Sequence, residues 1–370
     1  MDKILFVLHL PPPVHGAAMV GDYVRKSTAI NAAFHSKFIN LSTSHSLGEI
    51  GKGGVVKLLR YLKMLYSVYK EVTNFKPDLI YITLSSAGFG VLKDSLIVFL
   101  VKLLTRKKIV FHMHNAGVNR FQDRALYNFV YTKVFKNTTV IVLSKNLKKD
   151  VSKYVKDENI RICANGIPKI DFDPLVIRDK QQTEHPRILF LSNLIEQKGV
   201  YVLLKACQIL KKKGILFNCV YVGSEGDISK EDLDNQIRNF DLQDQVTYLG
   251  PKFGDEKYRE FAKADIFAFP TYYDSETFGL VNVEAMQFSL PIISTAIGGV
   301  PDVIENNVSG YLVQIKNEVE VAEKLAILIK NPDLRRIMGE KGYSNYQNKF
   351  TLEIFEQSLI KIFKELLLEK

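Results

Sequence analysis

Glu276 and Glu284 bracket the segment Glu276-Thr-Phe-Gly-Leu-Val-Asn-Val-Glu284, two carboxylates with seven residues between them. The apolar run Ile266-Phe-Ala-Phe-Pro270 precedes this segment, and its second half, Val281 to Met286, reads as a helix. The order strand, polar loop, glycine, helix leaves backbone N–H groups without acceptors at a helix start, which is an anion site. The helix is nearly all apolar, so Glu284 is expected to be a buried carboxylate that needs hydroxyl or cationic partners. A phosphorylated sugar offers both kinds of group: phosphates for the amides and hydroxyls for the acids.

A second candidate lies upstream. Phe190-Leu-Ser-Asn-Leu-Ile-Glu-Gln-Lys198-Gly199 reads as a strand, a loop and a helix start. Lys198 there is placed to add a charge to helix amides facing a phosphate. An isolated Lys-Gly is usually an ordinary solvated lysine. This loop, however, leaves the carboxyl end of the first strand of its sheet, where ligands collect. The turn Val222-Gly223-Ser-Glu-Gly226 lacks the spacing of a dinucleotide fingerprint, which weakens a nicotinamide dehydrogenase reading. Gly298-Gly299 is either a close backbone approach to a ligand or a plain turn.

In the first half, Pro11-Pro-Pro-Val-His-Gly16-Ala17-Ala18 combines three stiffening prolines with small residues that leave room at a helix start. In Phe111-His112-Met113-His114-Asn115, strand alternation puts His112 and His114 on one side, with His114 at the strand end. His114 is then either structural or in contact with substrate. No His/Cys/Asp/Glu cluster has ligand spacing, so no metal is expected.

These residues need a scaffold that brings strand ends together. In the first half the strand candidates are Ile4–Leu8, Phe38–Asn40, Leu79–Thr83, Ile109–Met113 and Thr139–Leu143. In the second they are Ile188–Leu191, Cys219–Val222, Val246–Leu249, Ile266–Phe269, Pro291–Ser294 and Tyr311–Val313. Continuous apolar strands separated by helices argue for parallel sheets covered on both faces. The fold class is therefore α/β, with two doubly wound Rossmann-like domains facing a central cleft. The polar stretch from about Asp171 to Pro186 is the best boundary, which gives domains at 1–175 and 185–349. The amphipathic stretch Leu352 to Leu368 fits either domain by pattern, and packing of about 350–370 back on the first is one option.

At 370 residues, 46% hydrophobic and 24% charged, the chain has the composition of a soluble, two-domain protein. The N-terminus reads as a first strand rather than an export signal. The most apolar stretch, Ser95 to Leu104, contains Lys102 and falls short of the roughly 20 apolar residues of a membrane span. Three scattered cysteines form no disulfide framework, and Cys207 and Cys219 read as buried thiols. A reducing, cytoplasmic setting is expected. The net charge of +10 is uneven: residues 1–180 hold 28 Lys and Arg against 13 Asp and Glu, and the remainder 22 against 27. An anionic lipid surface is the expected partner of the first half, because no nucleic-acid-binding motif accompanies the charge. The acid-free stretch Gly54 to Lys70 is its candidate docking helix, either an interfacial amphipathic helix or a surface helix with its leucines on the sheet.

Taken together, these segments resemble the family-4 retaining glycosyltransferases with the GT-B-type fold. The resemblance covers nearly the whole chain and is densest from Ile188 to Gly310. It rests on Glu276-x7-Glu284, Asn165-Gly166-Ile167, Lys198-Gly199, Val222-Gly223 and Ala264-Asp265-Ile266. Glu284-Ala-Met, Pro291, Gly298-Gly-Val-Pro301 and Gly310-Tyr-Leu-Val complete the set. The resemblance implies a nucleotide-diphosphate sugar, UDP- or GDP-linked, as donor substrate, with no cofactor and no metal. The implied acceptor is a glycan or a lipid-linked sugar, met in the cytoplasm or on the inner face of the cell membrane. By the same resemblance Lys198 binds the diphosphate, Glu284 the ribose hydroxyls and Glu276 the transferred sugar. The amides of Phe278, Gly279 and Leu280 contact sugar or phosphate. Gly16 lines the loop between donor phosphate and acceptor, and His114 contacts the sugar near the reacting centre. Gly223 and Asn193 belong to the donor side. Two departures stand out: Asn193 replaces the usual arginine five residues before the lysine, and Gly16-Ala17 replaces a glycine pair. A lost charged donor to phosphate costs about 1.5–3 kcal/mol. Nucleotide-sugar 2-epimerases and disaccharide phosphorylases share the architecture and are the alternatives, together with a non-catalytic sugar-nucleotide-binding protein.

Overall fold

The computed structural model describes residues 1–12, 15–42, 54–170 and 185–369. Two units make up the chain: Met1–Gly166 with Leu352–Lys370, and Ile167–Thr351.

The first unit is a parallel sheet of β1 (Lys3–Leu8), β2 (His35–Asn40), β3 (Leu79–Thr83), β4 (Lys108–Met113), β5 (Thr139–Val142) and β6 (Ile160–Ile162), in the order β2-β1-β3-β4-β5-β6. Runs such as Leu79-Ile-Tyr-Ile-Thr83 are buried along their whole length, as strands covered on both faces must be. Helices α1 (Gly16–Lys26) and α2 (Thr28–Ala33) join β1 to β2. Helices α3 (Val55–Phe75), α4 (Gly88–Leu104), α5 (Val118–Phe121), α6 (Ala125–Val134) and α7 (Lys148–Val151) follow in the later crossovers. The β1-to-β2 step runs opposite to the later ones, so right-handed crossovers put α1 and α2 on one face and α3, α4 and α6 on the other. The C-terminal helix Leu352–Leu368 completes the α1/α2 face. Its Phe363 ring lies 5.9 Å from Phe6, 5.9 Å from Phe34 and 5.3 Å from Tyr81.

The second unit repeats the plan with β7 (Arg187–Leu191), β8 (Asn218–Val222), β9 (Val246–Tyr248), β10 (Ile266–Phe269), β11 (Ile292–Thr295) and β12 (Gly310–Val313), in the order β12-β11-β10-β7-β8-β9. Strand order reverses between β7 and β10 here, and between β1 and β3 in the first unit. These are the topological switch points, where loops diverge and leave a crevice.

The chain passes between units at Gly166–Ile167, ahead of the polar stretch, most of which (171–184) lies outside the described residues. Hydrogen bonds explain why. Ile167 N–H donates to Phe350 O at 3.0 Å, and Ile170 N–H to Gln287 Oε1 at 3.0 Å, both partners being in the second unit. Strand β6, only Ile-Arg-Ile, has no counterpart among the strands expected from sequence.

Among the described residues no helix is long and apolar enough to cross a membrane. Lys102, which interrupts the apolar run of α4, donates from Nζ to the carbonyls of Lys133, Val134 and Lys136 at 2.7–2.8 Å. It thereby caps the end of α6.

Candidate active site

The second unit's switch point assembles the residues that the sequence singles out. Lys198 closes a short turn, Glu196–Lys198, and Gly199 then takes φ 91° before the helix Val200–Lys212. A Cβ at Gly199 would stand 2.3 Å from Pro270 O, so glycine lets this loop lie against the end of β10. Tyr272 N–H ties the two loops by donating to Gln197 O at 2.7 Å. As a result Lys198 Nζ donates to Glu276 Oε2 at 2.6 Å, across 78 residues of sequence. Lys198 Nζ also stands 4.3 Å from the Tyr273 ring centroid, a cation–π contact absent from the sequence reading.

Glu276 is buried, at 9% exposure, and its loop is braced from behind. Gly298, at φ 55°, passes so close that a Cβ would lie 2.2 Å from Glu276 O. Gly299 N–H donates to Thr277 O at 2.6 Å. The glycine pair therefore holds the glutamate loop through main-chain contacts. Gly279 takes φ 64° at the N-cap of the helix Leu280–Gln287 and offers no side chain to its first amides. The Phe278 ring turns into the core against Phe350, 5.5 Å away.

Glu284 is not the buried carboxylate that its apolar helix implied. It is half-buried, with its side chain 23% exposed, because it points to the helix flank where Lys257 meets it. Lys257 Nζ, from the helix Gly254–Lys263, donates to Glu284 Oε1 at 2.8 Å. Sequence spacing carried no signal for this pairing, since several basic residues share that helix. Gly223 is a packing point: its Cβ would meet Ser192 O at 1.8 Å and Asn193 N at 3.0 Å. The loops after β7 and β8 touch there, which sets Asn193, itself half-buried, on the same sheet edge as Lys198. An Asn193→Arg variant is expected to bind UDP or GDP equally or more tightly, because a charge-assisted donor to phosphate is restored. Isothermal titration checks this, and a large loss of affinity would give Asn193 a role of its own.

Gly16 and His114 lie in the first unit. Gly16 is exposed and opens α1, whose N-cap His15 accepts from Ala18 N–H at Nδ1, 3.3 Å away. Pro13 and Val14 of the proline loop lie outside the described residues. The His112 and His114 rings are 4.1 Å apart, on one side of β4. His112 Nδ1 is hydrogen-bonded to the hydroxyl of Tyr81 at 2.5 Å. Burial, reinforced by His9 and His15, pushes the His114 pKa down to about 3. Burial likewise lowers His9 to about 4, against the opposing pull of Asp94. Near neutral pH both rings are therefore uncharged. His9 and His15 join this cluster only through the fold, since they flank the first loop in sequence.

Residues 176–345 match the family model of glycosyl transferases group 1. A capsular polysaccharide biosynthesis glycosyltransferase, CapM of Staphylococcus aureus, is 24% identical over 319 residues, 83% of this chain and 81% of that protein. Among solved structures, sucrose-phosphate synthase from Thermosynechococcus elongatus superposes with a TM-score of 0.78 at 17% identity, over 100% of both chains. Anabaena HepE in complex with UDP-glucose superposes with a TM-score of 0.76 at 17% identity, over 99% of this chain and 100% of that one. The fold is therefore of the GT-B type. The findings support sugar transfer as the activity class and a glycosyltransferase as the kind of enzyme.

Proposed function

We propose that the chain is a retaining, metal-independent glycosyltransferase. It moves a sugar from a UDP- or GDP-linked donor to a hydroxyl of a glycan or lipid-linked acceptor in surface polysaccharide or glycolipid synthesis. The observation that carries this reading is the Lys198–Glu276 pair at the switch point between β7 and β10, beside the Gly279 helix start. The capsular role in the name of CapM and the UDP-glucose bound to HepE support the acceptor and donor classes.

In this reading the anomeric C–O bond to the diphosphate breaks and its electron pair goes to the phosphate oxygen. Lys198 and the amides of Phe278, Gly279 and Leu280 face the charge that grows there, a preorganised stabilisation that asks for no metal. Glu276 holds the transferred sugar and Glu284 the ribose, with Lys257 fixing the Glu284 carboxylate. Gly223 and Asn193 shape the donor side. The resemblance assigns Gly16 and neutral His114 to the sugar and acceptor side. The acceptor oxygen attacks from the face the diphosphate leaves, and its proton passes to the departing phosphate.

Incubation with UDP- and GDP-sugars and a lipid-linked acceptor, in EDTA, is expected to give a glycoside whose anomeric configuration by NMR matches the donor's. Free epimerised sugar formed without acceptor would identify a 2-epimerase instead. Phosphate-dependent cleavage of a disaccharide would identify a phosphorylase, and loss of turnover in EDTA would overturn the metal-free step. The setting that this acceptor implies is cytoplasmic, on the inner face of the membrane.

A further inference from the structure

The first half of α3 is apolar, basic and largely exposed. Its buried side chains are Met64, Val68, Val72 and Phe75, and no residue from Val55 to Lys63 is buried. An ordinary surface helix turns its leucines inward along one stripe. Here Leu58, Leu59 and Leu62 are 57%, 60% and 51% exposed.

The neighbouring helices extend the patch. Helix α3 packs on α4 and α4 on α6, all on one face of the sheet. Phe89 at the start of α4 is 78% exposed, and Leu126 and Phe129 on α6 are 58% and 59% exposed. Arg60 and Lys63 line a cavity of about 500 Å³ with Asn40, Ser42 and Glu71, the last paired with Lys37, which places the first half of α3 at the carboxyl end of β2. Phe89 and Leu126 begin helices that leave the same edge of the sheet, the edge that carries Gly16 and His114.

We infer that this face of the first unit docks on an anionic lipid bilayer, with the leucines and phenylalanines entering the headgroup boundary. The inference rests on the lipid-linked acceptor reading above and names the surface on which that acceptor is met. Charge decides between a bilayer and a protein. Cores of protein interfaces are depleted of charge. Here Lys57, Arg60 and Lys63 run through the leucines at three-residue spacing, and no acid occurs from Gly54 to Lys70. Apolar side chains interleaved with lysine and arginine are what an anionic interface binds. The Lys133 ammonium stands 5.7 Å from the Phe129 ring, so α6 repeats the combination.

The test is co-sedimentation with phosphatidylcholine vesicles, with and without phosphatidylglycerol, at low and raised salt. The wild-type chain is expected to partition on the order of tenfold more strongly to the anionic vesicles, and less so in salt. A Leu58→Gln/Leu59→Gln/Leu62→Gln variant is expected to lose on the order of tenfold. A Lys63→Glu/Lys70→Glu variant, which leaves the leucines in place, is expected to lose the preference for phosphatidylglycerol. Thermal shift by UDP and GDP reports folding and donor binding in each variant. Equal or absent pelleting of a wild-type chain that still responds to nucleotide would overturn the docking face and leave the donor reading standing. Vesicle binding without any nucleotide response would overturn the donor reading alone. A wild-type dimer in solution that the glutamine variant abolishes would assign the face to a second copy of this chain.

Discussion

Lys198→Ala is expected to lower turnover by about two to three orders of magnitude, the usual cost of removing one preorganised donor from a developing oxyanion. The loss should fall on kcat more than on donor affinity, because the charge it meets is largest in the transition state. A second effect follows from the pairing at 2.6 Å. Alanine leaves Glu276 nearly buried without its cation, and breaking such a pair from one side costs up to about 3–5 kcal/mol. The Lys198 side chain is 17% exposed, so water offsets part of this. Combining Lys198→Ala with Glu276→Gln should then recover much of the melting temperature but none of the turnover. Nucleotide-release kinetics and thermal melts on the three variants separate the two effects. Wild-type kcat in Lys198→Ala would remove this residue from the chemistry.

Gly298→Ala is expected to damage the site through the backbone alone. The residue has φ 55°, which alone costs an L-residue about 1–3 kcal/mol, and its Cβ would lie 2.2 Å from Glu276 O. The main chain of the glutamate loop must give way, so turnover should fall even though no reacting side chain changes. Gly214→Ala is the control. It has φ 66° with nothing within 4 Å of the added carbon, so it reports strain without collision. Urea unfolding should show a clearly larger loss for Gly298→Ala than for Gly214→Ala. Equal losses would mean that the 298 loop relaxes freely and does not brace Glu276.

The carboxylate pair, Lys198 and the strand runs that position them were legible in the sequence because each has a local cause. Buried parallel strands are unbroken apolar runs, and β3 and β10 begin and end at the residues read from sequence. Strand β6 escaped because three residues with an arginine in the middle make no such run. Non-local geometry was the other blind spot. Whether Glu276 or Glu284 is the buried acid depends on which helix flank faces a neighbour, and Lys257 supplies that neighbour from a different crossover. Gly298-Gly299 could be read equally as a turn or a close approach, and only the position of Glu276 O decides it. The histidine cluster is invisible in the chain because His9 and His114 follow β1 and β4, which flank β3 in the sheet, and no sequence spacing relates them.

The C-terminal helix makes the first unit discontinuous in sequence. Residues 167–351 form a unit from one continuous stretch, whereas the unit translated first is assembled from two. Until Leu352–Leu368 has been made, the surface under Phe363, formed by Phe6, Phe34 and Tyr81, has no cover. The unit translated first therefore stays open on one side until the helix that seals it has been made.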